Sequence, residues 1–401
     1  MSHERIHRFL AERRPPTPCL VVDTAVVRER VHELTTAFPG AALRYAVKAN
    51  PERAVLAAVL AAGGGFDVAS PAEIDACLAV GALPKALSYG NPIKKAADVA
   101  FAHARGIRDF TTDAESDVDS LARFAPGAAV SVRLLVDGPA SATPFGRKFG
   151  CTPDQAVELL RRAAATGLDP AGIAFHVGSQ QAEASAWEAG IAAAAKVFAE
   201  LDGHGLRPRR LNIGGGFGVP YRSPVPSLAE YAAAVSAALR SYFPGGSPEL
   251  LLEPGRAVVA TAGLIRTEVV LVAERAGQRW VYLDIGRYNG LAETENEAIT
   301  YRFGSPQGGL GACPQRGSGG RTPRRQSGLE ACPQTESGGP VVIAGPTCDG
   351  DDVLYQHTPY ELPLSLRAGD QLDILDAGAY TASYSSVAFN GIEPLRIYCL
   401  D

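Results

Sequence analysis

The amino-acid sequence predicts an α/β fold: a (β/α)8 TIM-like barrel followed by a C-terminal all-β domain of β-sandwich-like character. Three observations point there. From about Thr24 to Gly263, short β-rich apolar runs alternate with longer alanine-rich stretches of helical pattern, in units of ~25–40 residues that suit βα repeats. After Gly263 the strand patterns continue with no convincing helix between them. The polar residues that could carry chemistry fall at the ends of the predicted strands, where a barrel keeps its reactive groups. A doubly wound sheet is the structural alternative.

In chain order, the predicted barrel strands are 43–48, 66–69, 129–136, 172–177, 210–213 and 250–253. Helices are expected over 53–63, 72–81, 152–166, 182–201 and 228–239, with Gly behind them and Asp, Ser, Thr or Pro in front as stop and start signals. Residues 24–263 therefore form the barrel. The β-domain takes strands 264–272, 279–284, 341–344 and 371–375, and extended residues 18–22 join it from the N-terminus. Its expected limits are 1–23 and 264–401.

The chain has 401 residues, 46% hydrophobic, with a net charge of −5. That gives no basic footprint for nucleic acid or an anionic membrane. No apolar run approaches the ~20 residues of a membrane span. The first residues are charged throughout, unlike a secretory signal. Seven cysteines (19, 77, 151, 313, 332, 348 and 399) are scattered without a CxxC pair, which suits a reducing, cytoplasmic setting. Residues 305–340 read as a flexible insertion within the β-domain. Glycine and proline fill about 39% of it, and GGLGACPQRGSGG at 308–320 recurs as SGLEACPQTESGG at 327–339. Cys313 and Cys332 in it lack histidine partners, so no metal site is expected.

Chemistry concentrates at the strand ends. Lys48 closes an apolar strand in YAVKANP, where a desolvated amine can attack a carbonyl. Asp67 ends the next strand, with Glu73 in the first turn of the following helix. His176 and Ser179 end another in FHVGS. Asn212 leads into Gly214, Gly215 and Gly216, whose backbone amides can approach an anion closely. Glu253 and Arg256 follow in EPGR, near where barrels bind phosphate. Each has an ordinary reading: a snorkelling lysine, a core histidine, a helix cap, a surface ion pair. Taken together they suit a phosphorylated carbonyl cofactor, pyridoxal 5′-phosphate, which needs an amine, an anion cradle and a carboxylate for its ring nitrogen. In the β-domain, Cys348 sits among Asp349, Asp351 and Asp352, a thiol to protonate a carbanion beside a carboxylate for a cation. Tyr380, in DAGAY, offers a phenol to the cofactor.

Eight motifs in order, YAVKANP, FDVASPAEI, SYGNPIK, HVGSQ, NIGGGFG, EPGR, GPTCDGDD and DAGAYTASYSSVAFNG, span residues 45–391. Through them the chain resembles the fold type III, alanine-racemase-like pyridoxal-phosphate decarboxylases, in their ornithine/lysine branch. The resemblance implies decarboxylation of ornithine or lysine to a diamine and carbon dioxide by a head-to-tail homodimer with shared sites. It implies that Lys48 bonds the cofactor aldehyde, His176 stacks on its ring and Glu253 pairs with the ring nitrogen. Ser179, Gly214 to Gly216, Arg256 and Tyr380 then hold the phosphate, Arg133 lies near the cofactor, and Asp67 and Glu73 support. Cys348 and Asp349 come from the partner, to protonate the α-carbon and to receive the distal amine.

Two features depart from that pattern. Residues 290–298 match the family's specificity helix, yet Asn296 stands where diamine-forming members carry Asp, with Glu293, Glu295 and Glu297 adjacent. Substrate contact is assigned to Asp349, Asn296 and Glu295. The insertion, 305–340, is the second departure. Alternatives are a decarboxylase of a modified or conjugated amino acid in secondary metabolism and an inactive regulatory homologue. The diaminopimelate branch fits less well, since it has Cys-Glu-Ser where this chain has Cys348-Asp349-Gly350.

Overall fold

The computed structural model describes residues 3–138, 140–144, 146–306 and 338–401. Cys313, Cys332 and most of the expected insertion lie outside the described residues. Helix α1 (Glu4–Arg13) and strand β1 (Cys19–Asp23) come first. Then β2 (Ala42–Ala46), β3 (Gly65–Val68), β4 (Leu87–Tyr89), β5 (Asp109–Thr112) and β6 (Ala129–Arg133) run parallel, and past the short β7 (Ser141–Thr143) comes β8 (Asp169–Ala174). After β9 (Ser179–Gln181), which pairs with β7, come β10 (Arg210–Asn212) and β11 (Glu249–Leu252). Leu251 pairs with Ala42 and closes the eight barrel strands on themselves.

The helices start where the sequence supplies caps. Asp23 accepts from the Ala25 amide at the head of α2 (Thr24–Ala37). Between β2 and β3 lies α3 (Arg53–Ala61). Ser70 caps α4 (Pro71–Ala79), and α5 (Ala96–Ala104) and α6 (Glu115–Phe124) follow. Reciprocal capping boxes open α7 (Pro153–Ala165), through Thr152 and Gln155, and α9 (Leu228–Tyr242), through Ser227 and Glu230. Each box satisfies amide groups that no preceding turn can reach. Between them, α8 (Trp187–Gly203) starts later than expected because 184–186 form a 3₁₀ turn. A short α10 (Arg256–Val259) follows β11.

The predicted barrel strands end a residue or more too late. In the structure β2 stops at Ala46 and Lys48 lies in a 3₁₀ turn, Val47–Ala49; β8 stops at Ala174, β10 at Asn212 and β11 at Leu252. The reactive residues sit on the turns just beyond, which frees their side chains from the ladder. Below them an ionic cluster ties together three strands that are not neighbours. Asp109 of β5 accepts from Arg44 of β2 at 2.6 Å and from Arg210 of β10 at 2.5 Å. One carboxylate between two guanidiniums ties the barrel together across its interior.

The second unit is one connected eight-stranded sheet built on β12 (Gly263–Arg275). Its other strands are β13 (Gln278–Leu283), β14 (Arg302–Gly304), β15 (Gly338–Ala344), β16 (Val353–Pro363), β17 (Gln371–Leu375) and β18 (Arg396–Leu400). Strand β12 is long enough to pair with three partners, β1, β17 and β13, with a register shift between Val269 and Leu271. β1 pairs with β18 as well, so the N-terminus lies in this sheet. Gly338, Gly339 and Pro340, expected inside the insertion, are strand residues paired with β16. Helix α1, which the sequence pattern did not reveal, buries Ile6 and Leu10 against Cys19, Val21 and Leu264. Among the described residues no helix is long and apolar enough to cross a membrane.

Candidate active site

A cavity of about 490 Å³ opens where the C-terminal ends of the barrel strands meet the loop after β17. Lys48, Asp67, Glu73, Arg133, His176, Ser179, Gly216, Glu253, Arg256 and Tyr380 all line it. The two units build it jointly. The Tyr380 amide donates to the Ala49 carbonyl at 2.8 Å, Asn50 Nδ2 donates to the Gly378 carbonyl at 3.0 Å, and Ser383 Oγ donates to the Lys48 carbonyl at 2.9 Å. Tyr380 takes a left-handed backbone, φ +55°, to reach the barrel. Lys48 corrects one expectation: it is exposed, because its turn lifts it clear of the strand.

The carboxylates and the imidazole are tuned by their surroundings. Glu253 Oε1 accepts from Asn212 Nδ2 at 2.6 Å. Burial raises its pKa against that bond and against the nearby Arg44, Arg133 and Lys48. Burial also pushes Asp67 well above the usual carboxylate range; Glu253 adds to the rise and Lys48 opposes it. Asp67 Oδ1 is buried without a hydrogen-bond partner, and a Cβ on Gly90 would stand 2.1 Å from it. Glu73 Oε2 accepts from the Ala69 amide at 2.6 Å, which fixes the turn behind Lys48 and Asp67. Burial drives His176 well below its ordinary pKa, helped by Arg133 and Lys48, so the ring is neutral. Its Nδ1 accepts from the Gly178 amide at 3.0 Å.

The three glycines after β10 have separate steric reasons. A Cβ on Gly214 would meet the Phe175 carbonyl at 2.6 Å and the His176 ring at 2.9 Å. On Gly215 it would meet the Glu253 carbonyl at 2.4 Å, and on Gly216 the Gly178 carbonyl at 2.4 Å. Gly214 and Gly216 have φ +67° and +98°, a region that costs other residues strain. The turn is held from behind by Trp187, whose Nε1 donates to the Ile213 carbonyl at 3.1 Å and whose ring stacks on Phe217.

Arg256 is buried opposite. Its Nη1 donates to Glu293 at 2.8 Å and to the Tyr221 hydroxyl at 3.1 Å; its Nη2 donates to Glu293 at 2.6 Å and to Ser179 at 3.2 Å. Burial works against its charge, but Tyr221 and Glu293 outweigh it. Sequence reasoning assigned no role to Glu293, Tyr221 or Asn212. Asn212 leads directly into the glycine turn, and that position is the one signal that could have found it.

The structure does not bring every expected residue to the cavity. The expected helix over 290–298 is a pair of 3₁₀ turns, Ala292–Glu297, broken at Glu295 and Asn296. Asn296 is exposed with φ +52°, and Glu295 is exposed beside Arg287 at 3.3 Å. Neither lines the cavity of this chain; Glu293 does. Glu297 points elsewhere, accepting from the amides of Gln356, His357 and Thr358. Cys348 and Asp349 are also absent from the cavity lining. Cys348 is exposed, 3.3 Å from Asn390 Nδ2, on a turn organised by buried Asp352, which accepts from Arg287 N at 2.8 Å and Thr347 N at 3.0 Å.

The chain is similar in sequence and fold to known decarboxylases. Residues 24–260 match the model of the pyridoxal-dependent decarboxylase, pyridoxal binding domain. The lysine/ornithine decarboxylase of Selenomonas ruminantium is 32% identical over 94% of this chain and 88% of its own. The Vibrio vulnificus lysine/ornithine decarboxylase, solved with cadaverine, superposes with a TM-score of 0.82 at 28% identity, covering 99% of both chains. The arginine decarboxylase of Paramecium bursaria Chlorella virus has a TM-score of 0.85 at 25% identity, over 100% of both.

Proposed function

The chain belongs to the pyridoxal-dependent decarboxylases, and from that premise we propose that it removes the α-carboxylate of ornithine or lysine to release a diamine and carbon dioxide. The observation that carries this is the meeting of Lys48, His176, Glu253 and Arg256 on one cavity. The residues fit pyridoxal phosphate by the chemistry of the donor set: an accessible amine on Lys48, a guanidinium, a hydroxyl and a phenol on Arg256, Ser179 and Tyr380, and the carboxylate of Glu253 line one cavity.

When bound, the cofactor supplies an electron sink for the pair left by carbon dioxide. The chain's own groups do the rest. Lys48 Nζ would be the amine that holds the cofactor by its aldehyde, and neutral His176 would support its ring face. Glu253, kept desolvated and held by Asn212, would hold the ring nitrogen. Ser179, the amides of Gly214 to Gly216, Arg256 and Tyr380 take the phosphate, while Asp67, Glu73 and Arg133 set the charge around Lys48 and Glu253.

Proton return to the α-carbon is assigned to Cys348 Sγ, and the distal amine to Asp349, both from a second copy. Two observations support a homodimer with shared sites. This chain's own Cys348 turn is exposed and outside its cavity. The rim carries uncovered apolar side chains, Tyr384 at 58% exposure on the cavity wall and Val387 at 87% beyond it. A reducing, cytoplasmic setting is part of this proposal, and the scattered cysteines without a CxxC pair support it.

A panel of ornithine, lysine, arginine and conjugated basic amino acids, read by carbon dioxide release with added cofactor, tests the reading. Ornithine or lysine is expected to turn over, and Lys48→Ala to abolish it. Turnover only of a conjugated substrate would overturn the diamine assignment.

A further inference from the structure

We infer that Glu293 is an internal stand-in for the cofactor phosphate: it occupies the fork of Arg256 and must yield it when pyridoxal phosphate binds. The inference rests on the assignment of Arg256 to the phosphate made above. The Arg256 side chain is 4% exposed and Glu293 11%. Both terminal nitrogens of the guanidinium are committed to the two Glu293 oxygens, at 2.8 and 2.6 Å. This is the paired geometry in which guanidinium binds carboxylate and phosphate alike. Arg256 Nε is buried without a hydrogen-bond partner.

A phosphate lodged between Ser179, the glycine turn and Tyr380 arrives at the same guanidinium. Ser179 Oγ already bonds Nη2, and the Tyr380 ring lies 5.0 Å from Cζ. Two anions at one buried cation repel in a medium that screens them poorly. The other cavity carboxylates have different neighbours: Glu253 bonds Asn212 and Glu73 bonds the Ala69 amide. Glu293 stands on a broken turn whose regular geometry fails two residues later. Its side chain can therefore leave the fork without unwinding a helix. Cofactor affinity then contains the cost of displacing Glu293.

The test uses the full-length apo protein, titrated with pyridoxal phosphate and with pyridoxal by absorbance, and with inorganic sulfate as competitor. Glu293→Gln is expected to tighten pyridoxal phosphate by about tenfold, because a like charge leaves the fork while its shape stays. Sulfate should compete better as well, and pyridoxal should bind within about twofold of the parent, a shift of under half a kcal/mol. Arg256→Ala should weaken pyridoxal phosphate toward pyridoxal. If Glu293→Gln binds the phosphate form no better, or worse, while Arg256→Ala weakens it, Glu293 is not a stand-in and the inference fails alone. If Arg256→Ala leaves pyridoxal phosphate untouched, the phosphate assignment itself fails. Should Glu293→Gln not fold, Glu293→Asp, which shortens the reach to the fork, is read the same way: tighter binding supports the inference, unchanged or weaker binding overturns it.

Discussion

Asn212 connects the two halves of the cofactor site: its Nδ2 donates to Glu253 at 2.6 Å while its Oδ1 accepts from the Gly214 amide at 2.9 Å. One amide side chain thus positions both the carboxylate on the turn after β11 and the first residue of the glycine cradle. Asn212→Ala is expected to raise the dissociation constant for pyridoxal phosphate by roughly tenfold or more, since lost hydrogen bonds to a buried charged group cost about 1.5–3 kcal/mol. Asn212→Asp places a second carboxylate against Glu253 and should be worse. Absorbance titration of the apo protein checks both; equal affinity in all three would refute the coupling.

Gly215 has no spare volume on its side-chain face, because a Cβ there would stand 2.4 Å from the Glu253 carbonyl. Gly215→Ala should lower the melting temperature, at a cost of about 1–3 kcal/mol, and weaken cofactor binding. A melting curve that superimposes on the parent's would show that the turn yields.

His176 is held neutral by burial and by its cationic neighbours. Its folded pKa lies below its unfolded value, so the unfolded chain takes up more protons through the ordinary histidine range. Stability of the apo protein therefore falls as pH drops below about 6.5, by up to ~1.4 kcal/mol per pH unit until the folded pKa is reached. His176→Gln should flatten that part of the profile. Thermal melts of both proteins from pH 8 to pH 5 test it, and parallel profiles would exclude His176 as the titrating group.

Cys348→Ala should slow turnover and raise the share of aldehyde side product, as protonation goes astray. Mixing it with Lys48→Ala should restore activity if two copies share sites. Random exchange of subunits leaves one intact site in each mixed dimer, about a quarter of parent activity. Mixtures no more active than their components would show that each copy works alone.

Glu297 binds three amides of the strand β16 region, whereas Asn296 beside it faces out. Glu297→Ala should cost about 1–3 kcal/mol of stability, and Asn296→Asp, at an exposed position outside the cavity lining of this chain, should leave substrate preference unchanged. Melts and paired KM measurements on ornithine and lysine decide; a switch in preference with Asn296→Asp would return that residue to the specificity role.

Much of the barrel was legible because α3, α4, α7 and α9 are alanine-rich runs, with helix caps at Ser70, Thr152 and Ser227 before three of them. Strands β4, with three residues, and β5, with four, escaped notice because so short an apolar run carries no period. Strand β18 escaped for another reason: it is a strand because β1 lies beside it, a relationship across the whole chain. The cofactor residues were legible as motifs, since turns that cradle an anion demand glycine and amine chemistry demands lysine at stated positions.

What the sequence alone determined, then, is the barrel and the set of side chains at its mouth, because local propensity and the chemistry of each residue type are written in order along the chain. What only the tertiary structure decided is which charge faces which. Residues 256 and 293 are far apart in sequence and meet as a buried ion pair, while Glu295 and Asn296, two and three residues further on, turn outward. A broken 3₁₀ turn, not composition, selects among those neighbouring polar residues, and backbone direction at a single left-handed residue is not encoded in a motif.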